Sequence, residues 1–140
     1  MILLILLNST IFLLLSIIHI YWASGGKWAR NAAVPADRKG KRVFRPRPAS
    51  TLMIAAALFF FALITIANVA AFNNLVDSRI IHYGNWTIGI IFLLRAIGDF
   101  NYFGFAKRIR HTDFALYDTR IYSPLALGIA TISFVIIFWN

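Results

Sequence analysis

The chain has 140 residues, of which 60% are hydrophobic and only 14% charged, and its mean hydropathy is +0.74. Soluble domains average roughly 45–50% apolar and about 25% charged residues, so this composition excludes an ordinary soluble domain and defines an integral membrane protein. Cysteine and glutamate are both absent, which excludes disulfides, thiolate metal sites and thiol nucleophiles and leaves all acid chemistry to Asp37, Asp77, Asp99, Asp113 and Asp118.

A helical span takes about 20 residues, so the length predicts four spans in one all-α domain, a four-transmembrane-helix bundle over residues 1–140. The first span, residues 2–22, has no basic n-region before it and no small-residue cleavage pattern after it, and it reads as a retained helix rather than a signal peptide. Loop one, residues 23–50, carries Lys27, Arg30, Arg38, Lys39, Lys41, Arg42, Arg45 and Arg47 against the single acid Asp37. Its prolines, Pro35, Pro46 and Pro48, predict an extended and irregular course. The second span, residues 51–72, has Ser50 or Thr51 placed to cap its first turn and many alanines suited to close helix contacts. The third covers residues 84–105, and the fourth, residues 123–139, has Ser123 as N-cap and Pro124 at the first helical position.

Charge predicts the orientation. Loop three carries Lys107, Arg108, Arg110 and Arg120 against Asp113 and Asp118, whereas the loop after span two has only Arg79 and Asp77. By the positive-inside rule, loops one and three face the cytoplasm and both termini lie outside. The net charge of +9 does not point to nucleic acid, because 12 of the 14 Lys and Arg residues lie in the two loops that this rule loads. Membrane lipids, with anionic headgroups at the basic loops, are the partners they imply. Tyr21, Trp22, Trp28, Tyr83, Trp86, Tyr122 and Trp139 fall near the predicted span ends, as interfacial anchors do.

Arg95 and Asp99 stand out inside the third span. Entered from Gly84, that helix would place Arg95 about 16 Å deep, near the middle of a hydrocarbon core roughly 30 Å thick. Ionisable groups at that depth are costly and usually pair or face a wet cavity. Residues four apart share a helix face, so Arg95 and Asp99 are expected to pair and to stay ionised, either as a structural element or as part of a binding site. His19, Asn101, Tyr102 and Asp118 are candidate companions at the cytoplasmic end, where histidine could also relay a proton. Asn8 and Asn68 form a smaller outer candidate, adequately explained by interhelical hydrogen bonding.

Other chemistry finds little support. Metal binding needs three or four convergent ligands, yet His19, His82 and His111 lie in separate segments and His82 falls across the membrane from the others, so no metal or other cofactor is expected. No serine-hydrolase elbow, phosphate-binding glycine loop or zinc-protease helix is present. Between His111 and Tyr122, Thr112 can cap a short interfacial helix with an apolar side of Phe114, Ala115 and Tyr117. Asp118 can then pair with Arg120 or Arg95, making this segment either a lid or a re-entry turn.

Three strings, His19 to Gly26 (HIYWASGG), Arg95 to Phe105 (RAIGDFNYFGF) and Thr112 to Leu125 (TDFALYDTRIYSPL), resemble those of the domain-of-unknown-function family 3995, small bacterial membrane proteins. The resemblance implies a four-helix integral membrane protein and supplies no catalytic residue, substrate or cofactor.

The leading expectation is therefore a non-enzymatic bundle. Arg95, Asp99, His19, Asn101, Tyr102 and Asp118 would form a site for a lipid headgroup, a small amphiphile or a partner helix. The alternative is a membrane-embedded enzyme acting on a lipid or isoprenoid, with Asp99 and His19 as acid and base. A proton-coupled carrier is third, and with four helices it would need a homodimer.

Overall fold

The computed structural model describes residues 1–69 and 75–139. It is all-helical: α1 (Ile2–Ala23), α2 (Arg30–Ala33), α3 (Pro48–Ile66), α4 (Ser78–Ile97), α5 (Asp113–Tyr117) and α6 (Ser123–Trp139). A π-helical turn, Asp118–Tyr122, joins α5 to α6 without a break. Among the described residues the only β-type pairing is a single bridge between Ala36 and Arg42. Among the described residues four segments are long and apolar enough to cross a membrane: Ile2–Ala23, Pro48–Ile66, Ser78–Ile97 and Asp113–Trp139.

The helices form two antiparallel hairpins, α1 with α3 and α4 with α6. The first is zipped by small residues. Ser9 Oγ donates to the Ala62 carbonyl at 3.4 Å and Ser16 Oγ to the Ala55 carbonyl at 2.8 Å, contacts that need the backbones close together. In the second, Gly89 lies against the Phe134 ring, while Trp86 meets Phe134 and Phe138 edge-on at 5.6 and 5.9 Å. Phe12, Leu58, Ala62, Ile88 and Ile129 form the shared core. Phe12, Phe61 and Phe92 pack there as a trio of tilted rings. Asn8 Nδ2 donates to Ser133 Oγ across the hairpins and Asn85 Nδ2 to Asn68 Oδ1, so the expected pairing of Asn8 with Asn68 is replaced by separate partners. The outward faces stay apolar, with Leu3, Leu7, Leu14 and Ile17 of α1 exposed, as lipid-facing helices require.

Several boundaries differ from expectation. The second span starts at Pro48, with Ser50 and Thr51 hydroxyls donating back to the Arg47 carbonyl instead of capping the helix. Its expected outer end, residues 70–72, lies outside the described residues. The third span is shifted toward the N-terminus: Asp77 caps it by accepting from the Arg79 N–H, and it ends at Ile97 because Gly98 takes a left-handed φ of 97°. Arg95 consequently sits in the last turn of α4 rather than at mid-helix, where its charge also suits the helix dipole. Ser123 is no N-cap, since the fourth span already begins at Asp113. Loop one is more ordered than its prolines suggest: the Asp37 carboxylate accepts from the Lys39 and Lys41 N–H groups, forming a tight turn beside the Ala36–Arg42 bridge.

Because the hairpins are antiparallel, residues 24–47 and 98–112 share one end of the bundle, where α2 packs on α5. Both basic loops therefore lie together.

Candidate functional site

Past Ile97 the chain folds back over the end of α4. The Phe105 and Ala106 N–H groups donate to the carbonyls of Ala96 and Ile97 at 2.8 and 3.1 Å, satisfying groups that a helix terminus leaves open. Asp99 organises the intervening turn. Its Oδ1 accepts from the N–H groups of Asn101, Tyr102 and Phe103 at 2.9, 2.7 and 3.1 Å. Burial raises its pKa, but those three donors outweigh burial and hold the carboxyl below its ordinary value. The expected Arg95–Asp99 pair is therefore absent: α4 stops before Asp99, so the four-residue spacing no longer puts the two on one face.

Arg95 pairs instead with Asp118, Nη2 to Oδ1 at 2.7 Å. Asp118 is fully buried and gathers the whole end of the bundle. Its Oδ2 accepts from the Gly104 N–H at 2.8 Å, Lys107 Nζ at 2.9 Å and Ser123 Oγ at 3.0 Å. The last bond depends on the π turn, in which residues five apart come into register, whereas an α-helix would turn Ser123 away. Lys107 is itself buried. Its three donors are spent on Asp118, the Gly104 carbonyl at 3.0 Å and Thr119 Oγ1 at 2.6 Å. Gly104, with φ of 83°, lets the chain lie against Gly98 closely enough to present its N–H to Asp118.

Two cations thus surround one carboxylate. Arg95–Asp118 and Lys107–Asp118 are the only ion pairs among the described residues, and together they leave one uncompensated positive charge. Arg95 also carries the unspent valence. Its guanidinium stacks over the Phe103 ring at 4.9 Å, and its Nη1 is buried with no hydrogen-bond partner among the described residues.

Arg95 lines a cleft of about 260 Å³ between α1, α4 and α6. His19, Trp22 and Tyr122 supply its polar edge, and Leu15, Phe92, Phe114, Leu125 and Ile129 its apolar walls. His19 Nδ1 donates to the Leu15 carbonyl at 2.7 Å, since a carbonyl only accepts. Trp22 meets the His19 ring edge-on at 5.1 Å and donates its Nε1–H to the Trp28 carbonyl at 2.8 Å.

Of the residues singled out in the sequence, the structure brings Arg95 and Asp118 into contact and places His19 on the same cleft as Arg95. Asp99, Asn101 and Tyr102 lie in the turn beyond α4 and do not line that cleft. Sequence reasoning missed Lys107, which looked like one more loop cation. It also took Trp22 and Tyr122 for interfacial anchors alone. No group of three or more His, Cys, Asp or Glu side chains able to hold a metal occurs among the described residues.

The fold and this charge cluster define a multi-pass helical membrane protein with a buried, cation-rich end. The chain belongs to the family described as "Protein of unknown function (DUF3995)", which it matches over residues 12–133, a stretch that includes the whole cluster. No match was found among curated proteins or among solved structures.

Proposed function

We propose that the cleft beside Arg95 binds the anionic headgroup of a membrane amphiphile, with the basic end of the bundle facing the cytoplasm in a bacterial inner membrane. The observation that carries this reading is Arg95, which lines a mostly apolar cleft, belongs to a cluster with one surplus positive charge and has an Nη1 with no hydrogen-bond partner among the described residues. A buried donor without an acceptor costs about 1–3 kcal/mol, and an anionic oxygen removes that cost while neutralising the surplus. The apolar walls suit the carbon atoms next to such a headgroup. Orientation rests on the charge of the two loops that share this end.

An embedded enzyme using Asp99 and His19 gains no comparable support. Asp99 spends its Oδ1 on three N–H groups of its own turn and stands off the cleft.

Arg95→Lys tests the proposal. A lysine keeps the charge and one bond to Asp118 but lacks the second arm of the fork. Retention of an acidic lipid, measured by native mass spectrometry of the purified protein, should fall about tenfold or more, since a charged hydrogen bond contributes about 1.5–3 kcal/mol. Retention unchanged by this substitution would refute the proposal.

A further inference from the structure

We infer that a second cleft at the same end of the bundle holds the phosphate group of a small, water-soluble organic phosphate between Arg38 and Arg42. This cleft has a volume of about 420 Å³ and lies between loop one, which supplies Asn31, Arg38 and Arg42, and the start of α5, which supplies His111, Thr112 and Asp113. Phe114 is the one residue it shares with the cleft beside Arg95.

Topology asks that loop one be basic, but not that its cations converge. A tight turn brings them together. The Asp37 N–H donates to the Lys41 carbonyl at 2.8 Å and the Val43 N–H to the Pro35 carbonyl at 2.9 Å, closing a short hairpin whose tip is turned by Gly40 at a φ of 75°. Asp37 Oδ1 is spent on the N–H groups of Lys39 and Lys41, and Asp37 forms no ion pair, so the loop's own acid leaves both arginines uncompensated. Arg42 Nη2 donates to Asn31 Oδ1, which orients that guanidinium in advance. Arg38 has no hydrogen-bond or ion-pair partner among the described residues. Asp113 is the only acid on the cleft and pairs with neither arginine. Two guanidinium groups against one carboxylate, with Lys39 and Lys41 on the same hairpin, make the site attractive to anions.

The ligand class follows from geometry and volume. A guanidinium presents its N–H donors as a planar fork, and one fork already serves a carboxylate, whereas two serve the larger oxygen set of a phosphate. The cleft is roomier than phosphate alone requires, which leaves space for a short carbon skeleton. Val34, Ala36 and Phe114 are its only apolar side chains, so acyl chains find no continuous wall there and a soluble phosphate fits better than a lipid headgroup.

The test titrates the purified full-length chain, in neutral detergent micelles, with glycerol 3-phosphate and separately with dioctanoyl phosphatidic acid, and ³¹P NMR line broadening reads the bound fraction. Glycerol 3-phosphate should broaden saturably. Arg38→Gln should weaken its binding about fivefold and the Arg38→Gln, Arg42→Gln double variant about tenfold or more. Arg45→Gln with Arg47→Gln removes the same charge from the same loop away from the cleft, and should change binding less than about twofold. Arg95→Lys should leave it unchanged, which separates this cleft from the other. Equal weakening by the two double variants would reduce the effect to general attraction by the loop and overturn the inference, as would the absence of saturable broadening with the wild type. If phosphatidic acid responds to Arg38→Gln and glycerol 3-phosphate does not, the ligand is a lipid and the soluble assignment is overturned. Should the double variant not fold, Arg38→Gln against Arg45→Gln decides the matter, because Arg38 has no partner to lose.

Discussion

Replacing Asp118 by asparagine keeps the shape of the side chain and removes its charge. Asp118 accepts from four donors, Arg95 Nη2, Gly104 N, Lys107 Nζ and Ser123 Oγ, at distances between 2.7 and 3.0 Å, and it is fully buried. The Lys107 side chain is 1% exposed and that of Arg95 31%, so Arg95 can turn outward to the headgroup region while Lys107 is stranded. Stranding a buried charge costs about 3–5 kcal/mol. Asp118→Asn should therefore lower stability by about that amount. Adding Lys107→Met to Asp118→Asn removes the stranded ammonium and should recover about 2 kcal/mol, making the double variant more stable than the single one. Equilibrium unfolding by steric trapping or by SDS in mixed micelles measures both quantities. A single variant within about 1 kcal/mol of wild type, or a double variant equal to the sum of its parts, would refute the account of the cluster.

Asp99 should leave a signature at acid pH. Its folded-state pKa lies below the unfolded value of 3.8, so its contribution is fully present above that value and is lost as pH falls through the folded one. The thermal midpoint difference between wild type and Asp99→Asn should thus shrink on acidification, and a constant difference would contradict the assignment. Gly104→Ala places a Cβ against the backbone of Gly98 and Ile97 at a φ of 83°, and should cost about 2 kcal/mol or more in the same unfolding assay. Gly128→Ala, where a Cβ meets nothing within 4 Å, should cost nothing and serves as the control. For orientation, Ser50→Cys should be closed to an impermeant thiol reagent added outside intact cells and Ser78→Cys open to it, with the reverse pattern placing the basic end outside.

The all-helical architecture was legible because apolar runs of span length are a composition signal that lipid as solvent enforces. The capping of α5 by Thr112 was equally local, its side chain accepting from the Ala115 N–H as the sequence suggests. The end of α4 was not legible. A hydropathy window continues through Gly98 to Phe105, and the left-handed φ at Gly98, Phe100 and Gly104 turns that stretch into a loop folded back on the helix. That misplaced end produced the expected Arg95–Asp99 pair. Asp118 was visible as an acid near a span end and Arg95 was named among its partners, but the π turn that aligns it with Ser123 has no sequence signal of comparable strength. Lys107 was hidden by its company, since a buried lysine among exposed loop cations differs from them only in tertiary contacts.

The central claim is that Arg95 presents an unsatisfied cationic donor to a lipid headgroup. An experimental structure of the chain in native lipid tests it most directly. The account predicts non-protein density in the cleft bounded by Trp22, Phe92 and Tyr122, with an anionic group within hydrogen-bond distance of the Arg95 guanidinium. A structure in which protein side chains close that cleft, or in which Nη1 is satisfied by the protein itself, would contradict it.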